Sequence, residues 1–494
     1  MQKIQHFLKS PFYFQWLILF FVLHGYSEFI GFIPLSSLAL LIAKLSIVAW
    51  LLFLVCRKMY GNGYKAALLV TVLFFCYLFF GAIQDMLAAC KPIFSWSLFR
   101  TLIPALALIC AVVFVRLFFS KPPSEKFSRF LNGLFIAYIL FDVVSIIGRS
   151  MTMEQKTTTA AVQTITPVAD TLAKPDVYLI LLDEYLGSAG LQEYYQYDNT
   201  PFESFLQQKG FHVCVKPGSN YSFTIYSMAS LFNMRYLSAT DLGPNKGYTY
   251  KSLAQLIDNN AACAYFKHFN YSIHNYSPFT LAGIDATASA TVLPRDVELI
   301  TDKVLYNRLI KRIVLGEPQD KMNLSFVADW LNKKIAATHE SQMQAVLSSA
   351  SAPKQSPAFT YLHLLMPHKP FVYDSTGKAP DIYKAVSGNK ISGTDNLYLQ
   401  YLVYTNKRIS QFVEQLMTAT QGKAAIMVMS DHGYRDAHSI PGKDFSFQSF
   451  NAVYLPNRDY HLWYDGVSNV NQFPLLFNTL FNQQIPLKKD SCGF

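Results

Sequence analysis

The chain has 494 residues, 51% of them apolar, with 40 Phe and 30 Tyr, enough to bury a sizeable core. Its formal charge of +10 is unevenly spread: residues 1–174 hold 15 Lys/Arg against 6 Asp/Glu, and residues 175–494 hold 27 against 26. A basic excess confined to the apolar third argues against a nucleic-acid-binding protein and fits basic loops beside membrane spans.

In chain order, apolar runs at residues 12–32, 37–56, 66–88, 98–119 and 130–147 are each about 18–23 residues long, enough to cross roughly 30 Å of hydrocarbon as helix. The first is followed by four more rather than by a small-residue cleavage site, so it is not a secretory signal. Lys3 and Lys9 precede the first run. Arg57, Lys58 and Lys65 join the second to the third, and Lys121, Lys126 and Arg129 join the fourth to the fifth. The alternate loops are poorer in basic residues. The positive-inside rule then places the amino terminus in the cytoplasm. Five crossings place everything after Arg149 outside. Glu28, Lys44, Asp85 and Asp142 interrupt the runs, where buried charge is costly and often functional, although Glu28 and Asp85 sit near run ends where snorkelling or headgroup contact suffices.

Residues 150–174 are rich in Thr and Ala, without apolar period, and read as a linker. At Lys174 the texture changes. PDVYLILLDEY contains a fully apolar strand ending in Asp183 and Glu184, as expected of the buried centre of a parallel sheet. A helix-like segment, a strand-like FHVCV and a hydroxyl-rich turn, SNYSFT, lead into the helical run SMASLFNMRYL. Residues 280–350 carry little pattern and read as an insertion or peripheral helices. A second buried strand runs into HLLMPHKPF, with His363 and His368. A long helical segment from Asn396 precedes the strand AIMVMS, which ends in Asp431, His432 and Gly433. Strand–helix alternation of this kind points to a doubly wound α/β domain.

Chemistry gathers at the strand ends, where open α/β sheets bind ligands. An adjacent Asp and His offer a hard oxygen and an imidazole nitrogen, a donor set suited to zinc or manganese. Each piece alone has an ordinary structural reading: a capping carboxylate, a capping turn, a hydrogen-bonded core histidine. Four such pieces in one domain favour a site. In SNYSFT, Thr224 lies just before the helical run, where free N–H groups and the dipole favour an anionic group. Ser219, Ser222, Ser227 and Ser230 are its competitors. The seven cysteines have no metal-ligand spacing, and their odd number gives no disulfide framework, although one bond, for instance between Cys214 and Cys263, is compatible with an extracytoplasmic domain.

In these motifs the chain resembles a membrane-anchored member of the alkaline phosphatase/sulfatase superfamily. More narrowly, it is similar to lipoteichoic acid synthases and the phosphoglycerol and phosphoethanolamine transferases. The resemblance covers about residues 175–460, with FNAVYLP as a late strand, and implies divalent metal, zinc or manganese, at one site or two. Asp183, Thr224, Asp431 and His432 stand at the ligand positions, with Glu184 and His438 as further candidates. It also implies Thr224 as nucleophile, with His368 and His363 orienting phosphate or protonating a leaving group. The implied organisation is a transmembrane domain over residues 1–149, a linker over 150–174 and an extracytoplasmic catalytic domain over 175–494, held in a bacterial-type cytoplasmic membrane. The implied reaction moves a phospho-alcohol headgroup from a membrane lipid donor to an envelope glycan or lipid acceptor through a phospho-threonine. A phosphoester or sulfoester hydrolase with the same site, and a non-catalytic envelope scaffold, are the alternatives. The Cys/Ser-x-Pro-x-Arg segment of sulfatases that form formylglycine is missing, which disfavours sulfate-ester hydrolysis.

Overall fold

The computed structural model describes residues 8–89, 98–153, 174–243, 246–287, 296–315, 325–380, 393–436 and 444–492. The chain divides into two compact units: residues 1–157 with 291–312, and residues 158–290 with 313–494. Most of the expected linker, residues 154–173, lies outside the described residues.

The first unit is helical. Its helices are α1 (Tyr13–Glu28), α2 (Leu35–Tyr60), α3 (Gly63–Leu78), α4 (Phe80–Ala89), α5 (Leu98–Phe119) and α6 (Glu125–Met153). α1 forms the middle of the packing, with Tyr13, Phe14, Leu17, Ile18 and Val22 almost completely buried. The starts of α1, α3 and α6 share one end of the unit. There Lys9 pairs with Glu125 at 3.0 Å, Tyr13 donates to the Tyr64 carbonyl at 3.2 Å, and Asn132 donates to the Leu8 carbonyl at 2.8 Å. At the other end Arg149, late in α6, donates to the Ser27 carbonyl, late in α1, at 2.7 Å. Asp142, buried within α6, is paired with His24 at 3.1 Å.

Among the described residues, three helices, α2, α5 and α6, are long and apolar enough to cross a membrane, or four if the bent pair α3 and α4 is one span. The expected count of five is not confirmed by these helices. The first apolar run stops being helix at Glu28, ahead of Gly31 in a left-handed conformation and Pro34, so α1 has only 16 residues. The third run bends by 56° between α3 and α4. Hydropathy registers neither event, because both are backbone events inside continuous apolar sequence.

The second unit is a mixed α/β domain built on a six-stranded sheet. Its strands are β1 (Val177–Leu182), β2 (His212–Val213), β3 (Ser272–Tyr276), β4 (Ala358–Leu364), β5 (Ala425–Ser430) and β6 (Asn451–Tyr454), in the order β2-β6-β5-β1-β4-β3. The four neighbours β5, β1, β4 and β3 are parallel, β6 joins antiparallel to β5, and β2 joins antiparallel to β6. Every residue of β1, β4 and β5 is buried. That explains their unbroken apolar runs: a central parallel strand has no solvent face to alternate with. Helices α7 (Thr200–Gln208), α8 (Thr224–Asn233), α9 (Lys246–Asp258), α10 (Ala261–His268), α12 (Ser325–Ser351), α13 (Gly393–Ala419) and α14 (Gln472–Phe481) complete this unit; α11 (Leu305–Leu315) begins in the segment that belongs to the first. Aromatic side chains make up much of the core, with Phe266 stacked on Phe359 at 4.2 Å and Tyr398 on Tyr434 at 3.8 Å. Cys214 and Cys263 are separate buried free thiols, so no bond joins them.

Candidate active site

Strand register makes the site. Leu182, the last residue of β1, is opposite Leu364 on one side and Ser430 on the other. The next residue of β1 is Asp183 and the next of β5 is Asp431. Because neighbouring strands lie about 4.8 Å apart, the two carboxylates must meet. His432 follows directly. Ligand atoms of Asp183, Asp431 and His432 all lie within 4.8 Å of one another, and all three residues are buried.

Hydrogen bonds aim these groups. The Oδ1 of Asp431 accepts the backbone N–H groups of Glu184 at 3.0 Å and His432 at 2.8 Å. Its main-chain carbonyl lies 2.6 Å from the hydroxyls of Ser219 and Ser227 and accepts from the Asn469 amide at 2.8 Å. The Nδ1 of His432 is 2.8 Å from the Gly433 carbonyl and donates to it, which leaves the Nε2 lone pair free. That Nε2 is 3.3 Å from Asp431 Oδ2 and 3.4 Å from Thr224 Oγ1. Gly433 is required here: a Cβ would lie 2.1 Å from the Phe445 carbonyl oxygen. Thr224 is the first residue of α8, where first-turn N–H groups have no partner within the helix.

Two carboxylate oxygens, Asp183 Oδ1 and Asp431 Oδ2, are buried without a hydrogen-bond partner. Uncompensated buried carboxylate oxygens are expensive. Two of them converging with a free imidazole lone pair fit a divalent cation. Burial acts to raise the Asp183 carboxyl, but His368, His363 and His432 around it hold it below the usual carboxylate range. Burial and the neighbouring Asp183 charge raise Asp431.

The other expected residues sit around this centre. His363 has both ring nitrogens engaged, Nδ1 with the Tyr361 hydroxyl at 2.7 Å and Nε2 with Asp183 Oδ2 at 3.4 Å, so it positions Asp183. His368 is buried, with Nδ1 2.5 Å from the Lys369 carbonyl and Nε2 facing Arg435 at 3.1 Å. Burial lowers the His368 imidazole, but the Glu184 and Asp183 charges outweigh it and the net shift is upward. Glu184 accepts from Arg435 and its other oxygen lies 3.6 Å from His368 Nε2, and it is not in the Asp183–Asp431–His432 group. His438 lies outside the described residues. Among the rival hydroxyls, Ser219 and Ser227 brace Asp431, and Ser230 bonds the Arg235 carbonyl.

Three neighbours escaped the sequence reading. Arg435 lies four residues past Asp431, close enough to have been considered, and its guanidinium covers the Phe223 ring at 5.0 Å. Tyr361 is two residues before His363 on β4 and so shares its face. His339, on α12, is buried beside this centre, and burial pushes its imidazole down to about 4. Nothing local in the sequence marks it.

A family model described as Sulfatase matches residues 196–473. The chain belongs to the sulfatase family. The match begins after β1, so Asp183 precedes the sulfatase range, whereas Thr224, His363, His368, Asp431 and His432 fall within it. The placement in the alkaline phosphatase/sulfatase superfamily is thereby established. No curated protein matches the chain. Among solved structures, it is similar to the zinc complex of the C-terminal periplasmic domain of EcEptC from Escherichia coli, at 10% identity and TM-score 0.40, covering 65% of this chain and 86% of that one. The periplasmic domain of phosphoethanolamine transferase EptC from Campylobacter jejuni is similar at 12% identity and TM-score 0.35, covering 63% and 91%. A phosphonate monoester hydrolase of Agrobacterium radiobacter is similar at 13% identity and TM-score 0.36, covering 62% and 74%.

Proposed function

We propose that this sulfatase-family protein is a metal-dependent phosphotransferase of the cell envelope, moving a phospho-alcohol headgroup from a membrane lipid to a glycan or lipid acceptor. The observation that carries the proposal is the position of Thr224 Oγ1, 3.4 Å from the His432 lone pair and beside the carboxylates Asp183 and Asp431. A hydroxyl at a helix start, next to a buried donor set for a divalent ion, is an activated nucleophile of the kind phosphoryl transfer needs.

Asp183, Asp431, His432 and Thr224 would hold zinc or manganese, which when bound lowers the hydroxyl pKa and offsets charge on the attacked phosphate. Thr224 attacks the phosphodiester phosphorus, and the bond from phosphorus to the lipid alkoxide breaks. The Thr224 hydroxyl proton passes to water and the departing alkoxide takes one from water, while Arg435, with His368 beside it at 3.1 Å, orients the phosphate and meets its charge. An acceptor hydroxyl then displaces Thr224 from the phospho-threonine. The apolar helical unit fits this substrate class, because a membrane anchor raises the effective concentration of a lipid donor. The catalytic domain faces outward from a bacterial-type cytoplasmic membrane. Loops rich in Lys/Arg lie at the end of the helical unit where α1, α3 and α6 begin, and the chain leaves α6 at the opposite end.

The test uses the full chain in membranes holding headgroup-labelled phosphatidylethanolamine or phosphatidylglycerol. Diacylglycerol should appear, and mass spectrometry should find the phospho-alcohol on Thr224. Release of free phospho-alcohol at full rate without an acceptor, and with no adduct on Thr224, would make the protein a hydrolase and sink the transferase reading.

A further inference from the structure

Residues 296–312 belong by sequence to the catalytic domain, between β3 and β4, yet they pack within the helical unit. Their docking point is the break between α3 and α4. In a continuous helix the Gly81 N–H would bond the carbonyl four residues earlier, that of Tyr77. Phe79 and Ile83 keep this pattern, donating to Phe75 and Phe79 at 3.0 Å each. Gly81 departs from it and donates to the Lys303 carbonyl at 2.7 Å. A backbone N–H freed in apolar surroundings demands a partner, and here the partner comes from over two hundred residues away. Contact is close enough to exclude a side chain, since a Cβ on Gly81 would lie 2.6 Å from the Lys303 oxygen and 2.8 Å from its Cα.

Three further contacts surround this bond. Ile300 and Val304 are buried in the apolar cluster formed by α1, α2 and α3, and a Cβ on Gly25 of α1 would lie 2.6 Å from Ile300 Cγ2. Leu305 and Leu309 of α11 pack on Phe80 and Leu102. Arg308 pairs with Asp85 of α4 at 2.9 Å. That pairing gives the Asp85 charge a partner. The segment also braces itself: Asn307 donates to the Thr301 carbonyl at 2.9 Å, and Lys311 pairs with Asp302.

We propose that residues 296–312 are a second anchor, which holds the catalytic domain to the helical unit independently of the linker before β1, with the break at Phe79–Phe80 as its receptor. The chain is thus tied to the membrane at two points in its sequence. This inference does not depend on which ester the site cleaves.

The experiment places a site-specific protease site in residues 154–173 of the full chain, cuts it in isolated membranes, and sediments them in high salt. The fragment beginning near residue 174 should remain in the pellet. With Leu305→Asp and Leu309→Asp together, or with Gly81→Leu, the same fragment should appear in the supernatant after cutting, while uncut chain still sediments. Release of the wild-type fragment would overturn the proposal, and so would retention of both variants. A second measurement avoids dependence on variant folding. Asp85→Cys with Arg308→Cys, treated with a short bis-maleimide before cutting, should keep the two fragments joined on a denaturing gel, and neither single variant should. Failure of the pair to join would also overturn it.

Discussion

Glu184, held in a left-handed backbone conformation at φ 62° directly after Asp183, accepts both the backbone N–H and the Nε–H of Arg435 at 3.1 Å. A non-glycine residue at positive φ is uncommon and needs support from its surroundings. Here the carboxylate fixes the guanidinium over Phe223 and beside His368. Arg435→Ala should therefore reduce kcat/KM by roughly ten- to a hundredfold, the scale of a hydrogen bond to a charged group. Arg435→Lys should recover only part, because an ammonium cannot reproduce the planar fork. Steady-state kinetics on a phosphodiester would check this. Unchanged kinetics in Arg435→Ala would remove Arg435 from the site's chemistry.

The nucleophile assignment separates chemistry from metal binding. Thr224→Ala should lower turnover by about 10³-fold or more, while the protein still binds its ion. Thr224→Ser should keep measurable activity, since the hydroxyl survives. Ser227→Ala should instead loosen the Asp431 backbone and lower thermal stability by about 1 kcal/mol. Near wild-type turnover in Thr224→Ala, with loss in Ser222→Ala, would shift the nucleophile by two residues.

Metal content provides an independent readout. After equilibration with zinc or manganese, elemental analysis should find the ion depleted in Asp183→Asn, Asp431→Asn and His432→Ala. Glu184→Gln, whose side chain faces Arg435, should change affinity by less than about tenfold. Depletion by Glu184→Gln equal to that by Asp431→Asn would make Glu184 a ligand.

Sidedness follows from which helix ends lie together. A phosphatase reporter fused to Phe494 should be active and a fluorescent protein there should be dark, as for an extracytoplasmic end. The opposite pattern would rule out the proposed orientation.

Away from the site, Asp241 gives a pH test. Burial acts to raise this carboxyl, but Arg235 and the Ser238 cap outweigh it and hold it at about 2, against an ordinary 3.8. A folded value below the unfolded one means that the contribution is complete above about pH 4 and fades as pH falls through about 2. Asp241→Asn should lower the apparent Tm at pH 7 by about 2 °C, equivalent to roughly 1 kcal/mol of lost capping. The gap between variant and wild type should narrow towards pH 2. A gap that stays constant with pH would mean that the carboxylate charge contributes nothing.

Local composition is enough to specify the apolar helical third, the buried strands and the chemistry at their ends. These are local properties: a central strand shows its burial on both faces in its composition, and Asp431 and His432 are covalent neighbours. The superfamily was legible for the same reason, since its motifs are short segments in fixed order. What needed the tertiary structure was every partnership made across the chain. Register between β1, β4 and β5 brought Asp183 to Asp431. The hold of Glu184 on Arg435, and the engagement of both His363 ring nitrogens by Tyr361 and Asp183, are likewise partnerships that no local pattern announces. Hydropathy delimits five apolar runs, but it sums side-chain transfer energies and has no term for a backbone N–H handed from one segment to another. The end of α1 at Glu28 and the transfer of the Gly81 N–H to Lys303 are events of that second kind. A pattern along the chain reports what a segment must bury, and only the folded arrangement decides against what.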